Sequence, residues 1–191
     1  MKMWIVAIAM FVSTAASAAQ FQIGENAYNI QRSAYVRVVA YQNDGRYVLR
    51  FTTGPLAGQT GGNWTNADLA RLRGCSGDLC VGTNAYNIER SAYVRVVGIQ
   101  QDGRFVLYYR TGTLAGQSGH NWTRPDIAPQ RGCYQNYCVG DRAYNIPRNA
   151  WVTVVAIQYG GRYVLRFETG PLAGQTGHNW SPSDLAHGQV N

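Results

Sequence analysis

Three near-copies of one segment carry most of the side chains that could do chemistry. They read LAGQTGGNW at 56–64, LAGQSGHNW at 114–122 and LAGQTGHNW at 172–180. A hydrolytic site needs a nucleophile, a base and a third group that orients the base. The differences among the copies argue against one. His120 and His178 correspond to Gly62, so no catalytic histidine is shared by all three. His187 lies in the tail. Asp68, Asp126 and Asp184 recur, but each follows Thr65, Thr123 or Ser181 by three residues, the spacing of a helix capping box. AGQTGG lacks the Lys-Ser/Thr of a phosphate-cradling loop, and no other cofactor fingerprint is present. The expectation is a non-catalytic protein that uses no cofactor and no metal. Trp64, Trp122 and Trp180 suit either a core plug or a platform for stacking sugars or bases.

The cysteines are the second candidate. Cys75 and Cys80 enclose SGDL; Cys133 and Cys138 enclose YQNY. Four cysteines allow three pairings, and a site binding zinc through all four thiolates is the rival. Cysteine occurs only between copies, so the simplest pairing is Cys75–Cys80 and Cys133–Cys138. These would be two small rings that stiffen linkers. Rigid spacing matters if three weak sites engage one repetitive ligand, because linked sites bind more tightly only when their spacing fits.

The elements that must position these groups recur every 58 residues, as Tyr28, Tyr86 and Tyr144 show. Units are placed at 23–72, 81–130 and 139–188. Between the first two, 32 of 50 positions are identical, so copies can be compared position by position. AYVRVVAYQ (34–42) and RYVLRF (46–51) flank NDG, which is a hairpin signal. With Gln42–Gly45 as the loop, Tyr41 faces Arg46, Val39 faces Val48, and Arg37 faces Arg50. The opposite face then carries Val36, Val38, Ala40, Tyr47, Leu49 and Phe51 and forms the core. A one-residue slip would bury Arg37.

The outward face is the candidate ligand surface. It bears Tyr35, Arg37, Tyr41, Arg46 and Arg50 in the first unit. Tyr93, Arg95 and Arg104 occupy it in the second, and Trp151, Arg162 and Arg166 in the third. Arginine interleaved with aromatics suits an anionic polymer, through charge and stacking. Thr153 and Tyr108 replace arginine at two of these positions. Val39 and Val48 share the face, so the competing reading is that it packs against a neighbouring unit. Arg32, Arg90 and Arg148 either extend the basic face or pair with Asp.

The segment YVRVVAYQNDGRYVLRFTTG and the closing DLA have close counterparts in every unit. This order of strands and turns resembles SH3-like small barrels, including the Tudor/Agenet pattern and the bacterial SH3-type domains of secreted proteins. The resemblance implies an all-β chain of three tandem barrels and a binding module; it does not name the ligand.

Residues 1–18, MKMWIVAIAMFVSTAASA, have the charged start, apolar run and small-residue cleavage site of a secretory signal peptide. Their apolar run is too short to span a membrane. Export to the periplasm or beyond is expected, with no transmembrane anchor after cleavage. Export also favours disulfides over zinc. Lys2 is the only lysine, leaving sixteen Arg against ten Asp and Glu. The mature surface is therefore moderately basic and favours acidic partners. The leading expectation is an exported binder of a repetitive acidic envelope component, such as cell-wall glycan, lipopolysaccharide or another polysaccharide. A scaffold for peptide segments of protein partners and a threefold-symmetric lectin are the alternatives. Nucleic acid is not an expected partner.

Overall fold

The computed structural model describes residues 20–187. The signal-peptide expectation for 1–18 lies outside them. Among the described residues, no helix is long and apolar enough to cross a membrane.

The chain is all-β, and one pattern occurs three times. It begins as β1 (Asn26–Asn29), β2 (Ala34–Tyr41), β3 (Tyr47–Phe51), β4 (Thr60–Trp64) and β5 (Leu69–Arg71). A two-stranded hairpin follows, β6 (Cys75–Ser76) and β7 (Leu79–Cys80). The second copy is β8 (Asn84–Asn87), β9 (Ala92–Gln100), β10 (Phe105–Tyr109), β11 (Ser118–Trp122) and β12 (Ile127–Pro129). After a second hairpin, β13 (Cys133–Tyr134) and β14 (Tyr137–Cys138), come β15 (Arg142–Asn145), β16 (Ala150–Ile157), β17 (Tyr163–Phe167), β18 (Thr176–Trp180) and β19 (Leu185–Ala186). All pairings are antiparallel. Within a copy the last strand pairs with the first, giving the order β5-β1-β2-β3-β4 and its equivalents. Among the described residues, no pairing joins the two edges of a copy, so hydrogen bonds there do not close these sheets into barrels.

Each copy has its own apolar cluster. The first gathers Val36, Val38, Leu49, Phe51 and Leu69, the second Val94, Val96, Leu107 and Ile127, and the third Val152, Val154, Leu165 and Leu185. The alternating burial of β2 follows from its alternating Val/Arg sequence. Phe21, Leu79 and Tyr137 also lie in these clusters, ahead of each first strand and 58 residues apart.

Two irregularities set the hairpin register. Gln42 N–H donates to the Arg46 carbonyl, so the loop is Asn43-Asp44-Gly45, with Gly45 left-handed at φ 82°. Tyr41 therefore faces Tyr47 instead of Arg46. A β-bulge then places Val48 opposite Ala40 and leaves Val39 as the extra residue, which corrects the expected Val39–Val48 pair. The two offsets cancel, and Arg37 faces Arg50 as the sequence predicts.

The recurrent loop is structural. Gly61, Gly119 and Gly177 lie beneath the indole of the Trp three residues on. A Cβ at Gly119 or Gly177 would sit 3.0 Å from the indole nitrogen. These tryptophans are half-buried, edge-on to Phe51, Tyr109 and Phe167. Asn63, Asn121 and Asn179 are left-handed, and their backbone N–H groups donate to the side-chain oxygens of Gln42, Gln100 and Gln158. Thr65, Thr123 and Ser181 form capping boxes with Asp68, Asp126 and Asp184 around three-residue 3-10 turns. Capping therefore accounts for the recurrent aspartates.

Both expected disulfides form, Cys75–Cys80 and Cys133–Cys138, and each joins directly opposed residues of its hairpin. No thiol remains for zinc. The hairpins hold Leu79 and Tyr137 in the cores that follow. Ser76 also donates to the Gly103 carbonyl, and the Tyr134 ring lies against Gly161. Closing so short a ring is worth about 2 kcal/mol in the chain-entropy account. Reduction should therefore lower the thermal midpoint of the second and third units and leave the first less affected. Calorimetry with and without reductant, or hydrogen exchange resolved by unit, checks this.

Candidate functional site

The strand register assembles a cross-strand row of polar and aromatic side chains on the outer face of each unit. In the first it runs Asn26–Arg37–Arg50–Thr60, each residue paired with the next. The second row is Asn84–Arg95–Tyr108–Ser118, and the third is Arg142–Thr153–Arg166–Thr176. Directly opposed like charges such as Arg37 and Arg50 disfavour the sheet unless an anion lies between them. Arg37 also donates to the Gly24 carbonyl at 3.1 Å. Among the described residues, no carboxylate makes an ion pair with Arg37, Arg50, Arg95 or Arg110.

A groove of about 610 Å³ lies on this face between the first two units. Tyr35 enters it from the first unit, and Arg95 and Tyr108 from the second. Gln117 and Ser118, of the recurrent loop, form one rim. Tyr35 and Tyr108 are 38% and 41% exposed, enough to offer ring faces to a ligand. Burial, with the neighbouring Tyr28, pushes the Tyr35 hydroxyl above its usual range, so it stays a neutral hydrogen-bonding group. A second recess, lined by Gly82, Asn84, Arg95, Tyr108 and Arg110, shares two residues with the groove and continues it along the second row.

The remaining expected residues are dispersed. Arg46 and Arg104 sit at hairpin ends, paired with Asp44 and Asp102 at 3.4 and 2.8 Å. Arg162 donates to the Asn179 carbonyl at 2.9 Å. Tyr41 donates to the Phe21 carbonyl at 2.7 Å and leans on Tyr47. Tyr93 packs into the contact between the second and third units. Trp151 lies half-buried under Arg142, whose guanidinium is 4.4 Å from its ring centre. Arg166 keeps its place opposite Thr153. Arg90 and Arg148 lie over Trp122 and Trp180, each 5.9 Å from the ring, with Arg90 also paired to Glu89 at 3.5 Å.

The third row differs electrostatically. Glu168 accepts from Thr153 at 2.5 Å and from Arg142 at 2.6 Å, and these bonds hold its carboxyl below the usual range. The equivalent residues are Thr52 and Arg110. The third row thus carries its own counter-anion, whereas among the described residues the arginines of the first two rows have none.

Sequence reading omits Tyr108, Arg110, Arg142 and the groove-lining Gln117 and Ser118 from the candidate set. The 58-residue register is the signal for Tyr108, which falls at the position of Arg50. The groove itself arises from how two units meet, which no single unit encodes.

Among the described residues, no group of three or more His, Cys, Asp or Glu side chains is placed to hold a metal. Comparison with protein-family models and with curated proteins finds no match.

Proposed function

We propose that the chain is an exported, non-catalytic, multivalent binder of a repetitive anionic polymer, with an envelope polysaccharide as the best-fitting class. The observation that carries this reading is the groove of Tyr35, Tyr108 and Arg95, continuous with Arg110 and lacking a carboxylate partner. Aromatic faces stack on sugar rings, and guanidinium groups take carboxylate or phosphate in a bidentate fork. In this reading each copy is an SH3-like module, sealed by side-chain packing where hydrogen bonds do not close it. The disulfides are consistent with an oxidising compartment.

The test is retention on immobilised polyuronate and on a neutral glucan of similar length. Retention on the polyuronate, released by salt, is expected. Equal retention on both, or none on either, overturns the reading. Glu168→Gln should strengthen polyuronate binding severalfold, because Arg142 and Arg166 then lack their internal counter-anion. Acidification has the same direction. As pH falls through the depressed Glu168 value, the carboxyl is protonated and its grip on Arg142 is lost. A polymer with acidic groups that stay ionised there, such as a sulfated glycan, isolates this effect.

A further inference from the structure

Two internal contacts join the three units, and both pack equivalent apolar residues together. At the first, Tyr28, Ile30 and Ala70 of one unit pack against Val97 and Val106 on the hairpin face of the next. At the second, Tyr86, Ile88 and Ala128 pack against Val155, Ala156 and Val164. Ala70 and Arg71 also pair with Gln100 and Ile99, extending one sheet across the first contact. An added Cβ at Gly98 would sit 3.1 Å from Ala70, so glycine there permits the close approach. Pro129 replaces Arg71 at the second contact and has no N–H to offer such a ladder.

Each contact has a plug half and a socket half, and among the described residues both ends of the three-unit stack leave one half over. Among the described residues, the first unit has the socket, Val39, Ala40 and Val48, without a unit packed on it; Val39 is 37% exposed. The third unit has the plug, Tyr144, Ile146 and Ala186. Ile146 is 54% exposed, against 7% for Ile30 at the first contact. The valine, alanine, tyrosine and isoleucine types at the two outer halves match those of the internal contacts apart from Gly98 standing for alanine, whereas the position of Arg71 and Pro129 is His187 in the third unit and that of Tyr93 is Trp151.

From this repetition we infer that the third unit of one molecule docks on the first unit of another, continuing the internal stack head to tail. Such a contact is heterologous. It does not use itself up in a dimer, and it propagates into open chains unless the rotation closes a ring. The inference does not depend on the polysaccharide reading, because it uses only the contacts between units.

Sedimentation of the full chain, expressed with residues 1–18 in place and purified in the processed form that results, tests it. The expected result is a mass that rises with concentration beyond a dimer. Val39→Lys and Ile146→Lys should each weaken association by at least tenfold, with unchanged circular dichroism and melting, since both sites are solvent-exposed. Mixed together, the two variants should form a one-to-one complex and nothing larger, because each retains one intact half. A wild-type chain that stays monomeric at millimolar concentration overturns the inference. Association unaffected by either variant overturns it too.

Discussion

Val106→Asp is expected to destabilise the protein by about 4 kcal/mol, the order for leaving an uncompensated charge in a buried site. Val106 is fully buried between the first two units, against Tyr28, Ile30 and Ala70. For a chain of this length such a loss corresponds to a fall of roughly 10 °C in melting temperature. The same substitution at Val48, the identical position of the first unit, should cost only about 1 kcal/mol, the span of strand propensity, because among the described residues no preceding unit packs on that half-buried side chain. Urea unfolding of the two variants side by side checks the contrast. Equal effects would contradict the stacked arrangement of the units.

Arg95→Ala is expected to weaken polyuronate binding by at least about tenfold, the loss of a single charge-assisted contact of about 1.5 kcal/mol or more. Arg46→Ala should change it by less than about twofold. Arg46 is already paired with Asp44 at the hairpin end, whereas Arg95 lies in the groove with no ion-pair partner. Tyr108→Ala should act with Arg95→Ala, because the two residues are directly opposed on adjacent strands. Their double variant should therefore lose less than the product of the single effects. Titration calorimetry at fixed low salt reads all four. If Arg46 mattered as much as Arg95, net charge would explain binding and the groove would not.

How legible the molecule was depends on the kind of information each feature needs. The core face of the hairpin follows from alternation alone: Val36, Val38, Leu49 and Phe51 are buried where the pattern puts them. The Arg37–Arg50 pair was also readable, although by a register that differs at the turn. A three-residue loop and a bulge at Val39 shift the ladder in opposite senses, and a pattern of alternating residues does not reveal a pair of cancelling shifts. The cystines followed from cysteine occurring only between copies. The core residues Phe21, Leu79 and Tyr137 escaped notice because three different side chains fill one role. The least legible feature was the fate of the hairpin face. Val48, Val106 and Val164 are the same residue in the same local sequence, yet only the latter two are buried. Their difference is set by the neighbouring unit, which lies outside any local pattern. The candidate groove has the same origin, since Tyr35 and Arg95 meet only because two units stack.

The most direct test of electrostatic recognition is the dissociation constant for polyuronate as a function of salt. Between about 0.01 M and 1 M the screening length falls from roughly 30 Å to 3 Å. Arginine-driven binding should weaken by well over tenfold across that range, with a shallower slope for Arg95→Ala. An affinity that stays flat with salt, or a slope that Arg95→Ala leaves unchanged, would contradict the account.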